Sequence, residues 1–242
     1  MNLSEIVQKQ PKKPPRILIY TIPGWGKSTL AASMPKPVFL DIEDGLSGLK
    51  NAESFPIPKS YDEFEKYLRM LIEEDHEYKT VVIDTLSSLE KLIFEKVCSN
   101  GNKPSIESYG YGKGYVYAMA YWNKTIDGLN RLRQKGIASV LLAHSEIKAV
   151  NDPIIDTYDK YILSLHKHSS ALVTRWADNV FFGTYKTIVT SQGEGFSKVS
   201  KGIGQGDRVI YTEERPAFLA KSRMGLPFEI NIPKENGWNV IK

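Results

Sequence analysis

Apolar residues in this chain fall into two alternating patterns. Short continuous runs rich in β-branched and aromatic residues lie at Ile17–Tyr20, Val38–Leu40, Val81–Ile83, within 137–144 and within 177–185. Such runs predict strands buried on both faces. Between them, apolar residues return every three or four positions. Phe64, Tyr67, Leu68, Leu71 and Ile72 do so within 61–75, which predicts an amphipathic helix. Further helices are predicted from Leu30-Ala31-Ala32, over 86–98, and up to about Lys135, where Leu129 and Leu132 mark the buried side and Gly136 a stop. Strand and helix in alternation predict an α/β domain with a mostly parallel central sheet. Beyond residue 185 the pattern changes. Glycine-spaced turns over 186–211 predict a hairpin, and 215–230 predicts an apolar strand, so the chain is expected to end in antiparallel strands.

The ends look different from the middle. Residues 1–15 close on 11-PKKPP-15, which suits an extended arm or linker; a solvated leader is preferred to an arm that touches a neighbour or DNA. One domain is expected over 16–232, followed by a plain surface tail over 233–242. The 242 residues suffice for one large core, and the 41% hydrophobic content is ordinary for a globular protein. The net charge of +4 does not by itself announce a nucleic-acid binder. A lone cysteine, Cys98, excludes an internal disulfide and fits a reducing cytoplasm. The start does not resemble a signal peptide, and no apolar run reaches the ~18 residues of a membrane span, so no membrane partner is expected.

The most informative stretch is 16-RILIYTIPGWGKSTL-30. A strand, a loop holding Pro23, Gly24, Trp25 and Gly26, then Lys27-Ser28-Thr29 and a helix make a phosphate-binding loop. Glycines let successive backbone N–H groups point at one phosphate, and the new helix aims its positive end there too. Lys27 offers a point charge to the β- and γ-phosphates, and the Ser28 hydroxyl suits Mg²⁺. One position departs from the pattern: Thr21 stands where the loop normally begins with glycine.

Other candidates sit where predicted strands end, and in an open parallel sheet that edge is where ligands bind. Asp41, Glu43 and Asp44 follow the second strand. Glu43 is the favoured base for orienting the attacking water, with Asp41 and Asp44 beside it; the plain alternative is an acidic turn capping the next helix. Asp84 ends a β-branched run and suits support of Mg²⁺. His144 ends the next strand, where a hydrogen bond can sense the γ-phosphate. Lys221-x-Arg223, on the late strand, projects two cations that can reach a phosphate across a subunit boundary, unless they are simply exposed.

Two segments suit a larger ligand. Residues 100–122 interleave glycines with tyrosines; Tyr109, Tyr111 and Lys113 suit base stacking and phosphate pairing, while Tyr115 and Tyr117 are expected to begin the core face of the next helix. Residues 145–170 form a long polar connection in which Lys148, His166, Lys167 and His168 are candidate phosphate contacts. Its last part, 161–176, suits a strand followed by a helix.

As a set, "PGWGKSTLAASMP", "FLDIEDGL", "YGYGKGYVYA", "LLAHSEIK" and "YTEERPAFLAKSRMGLP" resemble the RecA-like P-loop ATPases, in particular the small phage-encoded single-strand annealing proteins and recombinases. The resemblance runs from about Arg16 to Ile230. It implies a RecA-like core, ATP and Mg²⁺ as cofactors, DNA loops at 100–114 and 145–168, and single-stranded DNA as partner. It also implies a sensor role for His144 and a finger role for Lys221 and Arg223 on a neighbour's site, hence a ring or filament with active sites at subunit interfaces. A single-strand DNA-binding protein is a further partner of this kind, and the setting is the cytoplasm of a bacterial host. Two other readings stand beside it: a ring-forming, helicase-like motor, and a scaffold whose assembly ATP merely gates.

Overall fold

The computed structural model describes residues 13–49, 52–192, 199–204 and 206–241. Its elements in chain order are β1 (Arg16–Thr21), α1 (Lys27–Ala32), β2 (Pro37–Asp41), β3 (Glu53–Ser54), α2 (Tyr61–Glu73), β4 (Thr80–Asp84), α3 (Leu86–Asn100), α4 (Lys113–Gln134), β5 (Ala138–Val150), β6 (Tyr158–Leu163), α5 (Lys167–Trp176), β7 (Asn179–Tyr185), β8 (Ile188–Gln192), β9 (Val199–Ile203), β10 (Arg208–Tyr211) and β11 (Glu229–Ile232). The main sheet runs β11-β10-β7-β1-β5-β4-β2-β3. Every neighbour pair from β7 to β3 is parallel, while β10 joins β7 and β11 joins β10 antiparallel. The expected α/β sheet with antiparallel C-terminal strands is therefore present.

Alternation along the strands separates two cores. Leu18, Tyr20, Val81, Ile83 and Leu141 face α2, α3 and α4, whereas Ile17, Ile19, Val82, Val140 and Phe181 face α1 and the C-terminal segment. That two-sided burial explains why the strands read as unbroken apolar runs. The chain's helices are placed by the same logic. Ser60 caps α2 by accepting from Glu63 N, and Phe64, Leu68, Leu71 and Ile72 form its buried stripe.

Four expectations need correction. Residues 145–163 are not an irregular connection: β5 continues beyond the sheet and folds back through β6, pairing Ser145 with Leu163 and Val150 with Tyr158. Solvent bathes much of this hairpin, so no hydrophobic period betrays it. The segment 215–223 is not a strand; Lys221 makes only an isolated bridge with Val180. Tyr117 is half exposed, and Gly114, Ala118, Trp122 and Leu129 carry the buried face of α4 instead. The tail after Pro233 is not a plain surface terminus, because a 3₁₀ turn at Gly237–Val240 packs Trp238 and Ile241 against the α1 side of the core. Residues 1–12 of the expected arm lie outside the described residues; Pro14 O accepts from Arg133 Nε at 2.7 Å.

At the amino ends of the parallel strands, Asp178 gathers three arginines. It accepts from Arg16 Nη2 at 2.8 Å, Arg133 Nη2 at 2.9 Å and Arg223 Nη1 at 3.1 Å. Burial alone would raise its carboxyl, but the hydrogen bond and charge of Arg16 and the charge of Arg133 prevail and hold it below the usual aspartate range. A lowered folded value means stabilisation that is present above the ordinary aspartate pKa and lost as pH falls. Asp178→Asn is expected to cost about 3–5 kcal/mol in urea unfolding near neutral pH, since it leaves clustered cations uncompensated. The gap between parent and variant should narrow as pH drops below about 4.

Candidate active site

Sheet register lines up the predicted chemistry at the carboxyl ends of adjacent strands. Thr21 on β1 pairs with His144 on β5, and Asp41 on β2 pairs with Asp84 on β4. The loop that follows β1 carries positive φ at Gly24 (73°) and Gly26 (97°), backbone that glycine adopts without strain. It borders a cavity of about 370 Å³ lined by Thr21, Gly24, Trp25, Gly26, Lys27, Ser28 and Thr29, with Gly45, Gly48 and Leu49 on the facing side.

Thr21 in the first loop position is accommodated in two ways. Its φ is not positive, so the backbone there does not require glycine. Its methyl sits against β7 at Gly183, where an added Cβ would come within 2.7 Å of Thr21 Cγ2 and 3.0 Å of the Trp25 ring. Trp25 belongs to the loop through its backbone. The indole is buried and donates through Nε1 to Thr184 O at 2.7 Å, against β7. The Tyr185 hydroxyl donates to Gly24 O at 2.9 Å.

Around Lys27 the polar groups converge. Ser28 Oγ donates to Asp84 Oδ2 at 2.5 Å. The other oxygen, Asp84 Oδ1, is buried and has no hydrogen-bond partner among the described residues. Burial raises the Asp84 carboxyl, with Glu43 and Asp41 adding to the effect, against the lowering by Ser28 and Lys27. A buried carboxylate with an unused oxygen beside a hydroxyl is a hard-oxygen donor pair short of positive charge, which fits Mg²⁺.

Glu43 reaches this group from the loop after β2. Its Oε2 lies 4.0 Å from Lys27 Nζ, and His144 Nε2 lies 3.0 Å from Oε1 and 3.2 Å from Oε2. Thr85 Oγ1 and Ser88 Oγ, from the start of α3, both donate to Oε1. Burial would raise this carboxyl, but hydrogen bonds from His144 and Thr85, with the charges of His144 and Lys27, lower it to about 2. Glu43 is therefore ionised at neutral pH, as a base must be. Asp41 serves the backbone instead, since its Oδ1 accepts from Glu43 N at 3.1 Å and shapes the loop. Asp44, exposed at φ 58°, is a turn residue. Thr85 and Ser88 are additions that sequence patterns do not single out. Their position in the first turn after Asp84 is the available signal.

Lys221 and Arg223 lie elsewhere. Arg223 is tied to Asp178 at the opposite end of the sheet from the phosphate loop, and β1 between them spans about 20 Å for its 6 residues. The candidates for a larger ligand form another group. Tyr111 is fully exposed, Lys113 opens α4, and Lys167 and His168 are exposed at the start of α5. Tyr109 is not a free stacking surface, because its hydroxyl donates to Val97 O at 2.6 Å and its ring covers Gly101. His166 stacks on Tyr115 with centroids 3.9 Å apart and planes 3° apart, which joins the two candidate segments. Lys148 stands apart from them, on the projecting hairpin opposite Lys160.

These features define a P-loop nucleotide site, and the chain belongs to the AAA-domain family of P-loop ATPases, whose family model matches residues 13–224. It is also similar to the SPbeta prophage-derived uncharacterized protein YorG of Bacillus subtilis (strain 168), 25% identical over 160 residues, which cover 59% of this chain and 48% of that protein. The chain thus spans about half the length of that relative. No helix among the described residues is long and apolar enough to cross a membrane.

Proposed function

We propose that the protein hydrolyses ATP with Mg²⁺ and couples the ATP-bound state to single-stranded DNA, in strand annealing or exchange of the RecA type in a phage setting. The convergence of Lys27, Ser28, Asp84, Glu43 and His144 within one row of strand ends carries the reading. Lys27 and the loop amides bind the phosphates, and Ser28 and Asp84 would hold Mg²⁺. When bound, the metal offsets negative charge between the phosphates. Glu43 accepts the proton of the attacking water, and His144 contacts the γ-phosphate. For His144 to do so it must exchange its bond to Glu43, which frees the base in the same motion.

Exposed Tyr111 suits base stacking, while Lys113, Lys167 and His168 offer positive or hydrogen-bonding groups to phosphates. Helix α3 touches both the Glu43 group and the segment that leads into α5. Thr85 and Ser88 hold Glu43, Ser87 donates to Ser164 O at 3.1 Å, and Glu90 accepts from His166 N at 2.9 Å. Turnover measured with and without single-stranded DNA tests the coupling; equal rates count against it. Binding should weaken with salt by a log–log slope of about −0.7 per phosphate contact. Tyr111→Ala should cost roughly 1–3 kcal/mol of DNA affinity. Indifference to both changes would remove these segments from the interface.

A further inference from the structure

A trans peptide group is planar, so a carbonyl and the following N–H point in opposite directions. Whatever grips a carbonyl at the back of a phosphate loop thereby aims an N–H at its front. Two side chains do this here. The Tyr185 hydroxyl grips Gly24 O, which sets the N–H of Trp25. Arg208, on β10, donates from Nη1 to Trp25 O at 3.3 Å, which sets the N–H of Gly26, directly before Lys27.

Arg208 is held firmly for this purpose. Its guanidinium lies over the Trp25 ring at 5.6 Å, and Nη2 donates to Pro233 O. The space beside Gly26 is filled by Nη1, so any side chain at Gly26 would collide with it. Arg208 Nε is buried without a partner among the described residues. The group is thus fixed by the fork at its end and by the face of the indole.

We propose that Arg208 is a positioning residue for phosphate binding, acting through the Trp25 carbonyl to orient the Gly26 amide. This rests on the nucleotide-site reading. The role belongs to the planar fork and not to charge alone, because a lysine cannot bond two carbonyls in fixed directions from beside the indole.

Equilibrium titration with ATP and with ADP, using the full chain, tests it. Arg208→Lys and Arg208→Gln should each weaken both nucleotides by on the order of tenfold, the effect of losing a charged hydrogen bond. Both nucleotides should suffer alike, since the loop wraps phosphate they share. KM should rise while turnover at saturating ATP stays near the parent's. Tyr185→Phe, which removes only a hydroxyl, should act in the same direction. In nucleotide-free protein, amide exchange over 22–28 should quicken in the Arg208 variants while β1 and β7 stay protected. Full affinity in Arg208→Lys would overturn the fork, and unchanged affinity in all three variants would overturn the positioning role. General loss of protection in Arg208→Lys would make the residue merely structural. Failure of the parent to bind ATP would instead overturn the nucleotide site itself.

Discussion

Glutamine at position 43 is expected to yield a protein that still binds ATP but turns it over ~10²–10⁴-fold more slowly, the usual range for a lost general base. The amide keeps the shape of the carboxyl group and can still accept from Thr85 and Ser88, so the loop after β2 should stay in place. What disappears is the capacity to take a proton. Lys27→Ala provides the contrast, because it should lose nucleotide binding itself. Single-turnover hydrolysis beside equilibrium ATP binding separates the two. Near-parent turnover in Glu43→Gln would transfer the role to Asp41, the carboxylate at the end of β2 close to the group. The pH profile adds an independent check. With His144 and Thr85 bonded to it, Glu43 is lowered to about 2 and stays ionised at pH 5–6 in the nucleotide-free protein. An acid limb in turnover at saturating ATP would therefore report a Glu43 released from His144.

The second large effect concerns Arg223. Its position beside Asp178 puts it farther from the phosphate loop of its own chain than an arginine side chain reaches. Arg223 has the most accessible side chain of the arginines around Asp178, at 71%, so it is the one that could be offered if subunits stack with one sheet's amino edge against the next subunit's nucleotide. A cation delivered to the γ-phosphate in this way is worth on the order of 10³–10⁵ in rate. Arg223→Ala should therefore keep ATP affinity and lose most of its DNA-stimulated turnover. Mixing gives the decisive comparison. Arg223→Ala subunits retain the phosphate loop and Lys27→Ala subunits retain the finger, so mixed assemblies should recover activity that neither has alone. Confirmed mixed assembly without recovery would return Arg223 to its part in the Asp178 cluster.

Much of this site is legible in the sequence because its chemistry is tied to strand ends. Buried parallel strands announce themselves as apolar runs, and the polar residue that terminates each run falls on the ligand edge of the sheet. Asp84 and His144 follow from that rule, Glu43 stands just past such an end, Lys27 and Ser28 follow from the phosphate-loop pattern, and the structure brings all five together. Where burial does not impose a period, the sequence misleads. The β5–β6 hairpin stands largely in solvent, so its alternation carries no hydrophobic signal. The tail misleads for the opposite reason: Trp238 and Ile241 are too few to form a pattern, yet each buries fully enough to matter. Thr85 and Ser88 escape notice because a hydroxyl's partner depends on a loop from another strand. Arg208 is the extreme case, since it meets Trp25 only through the order of strands in the sheet.

Thr21 and Gly183 show how a motif can be intact while its spelling is not. The room that a glycine ordinarily leaves at the mouth of a phosphate loop exists here, but the missing side chain is on the adjacent strand, where Gly183 leaves space for the Thr21 methyl and the Trp25 ring. The requirement is a shared volume, and either of two neighbouring residues can vacate it. A pattern written along one strand records only half of such a condition. Its other half is spelled far away in the chain, and the two halves become a single word only when the strands lie side by side.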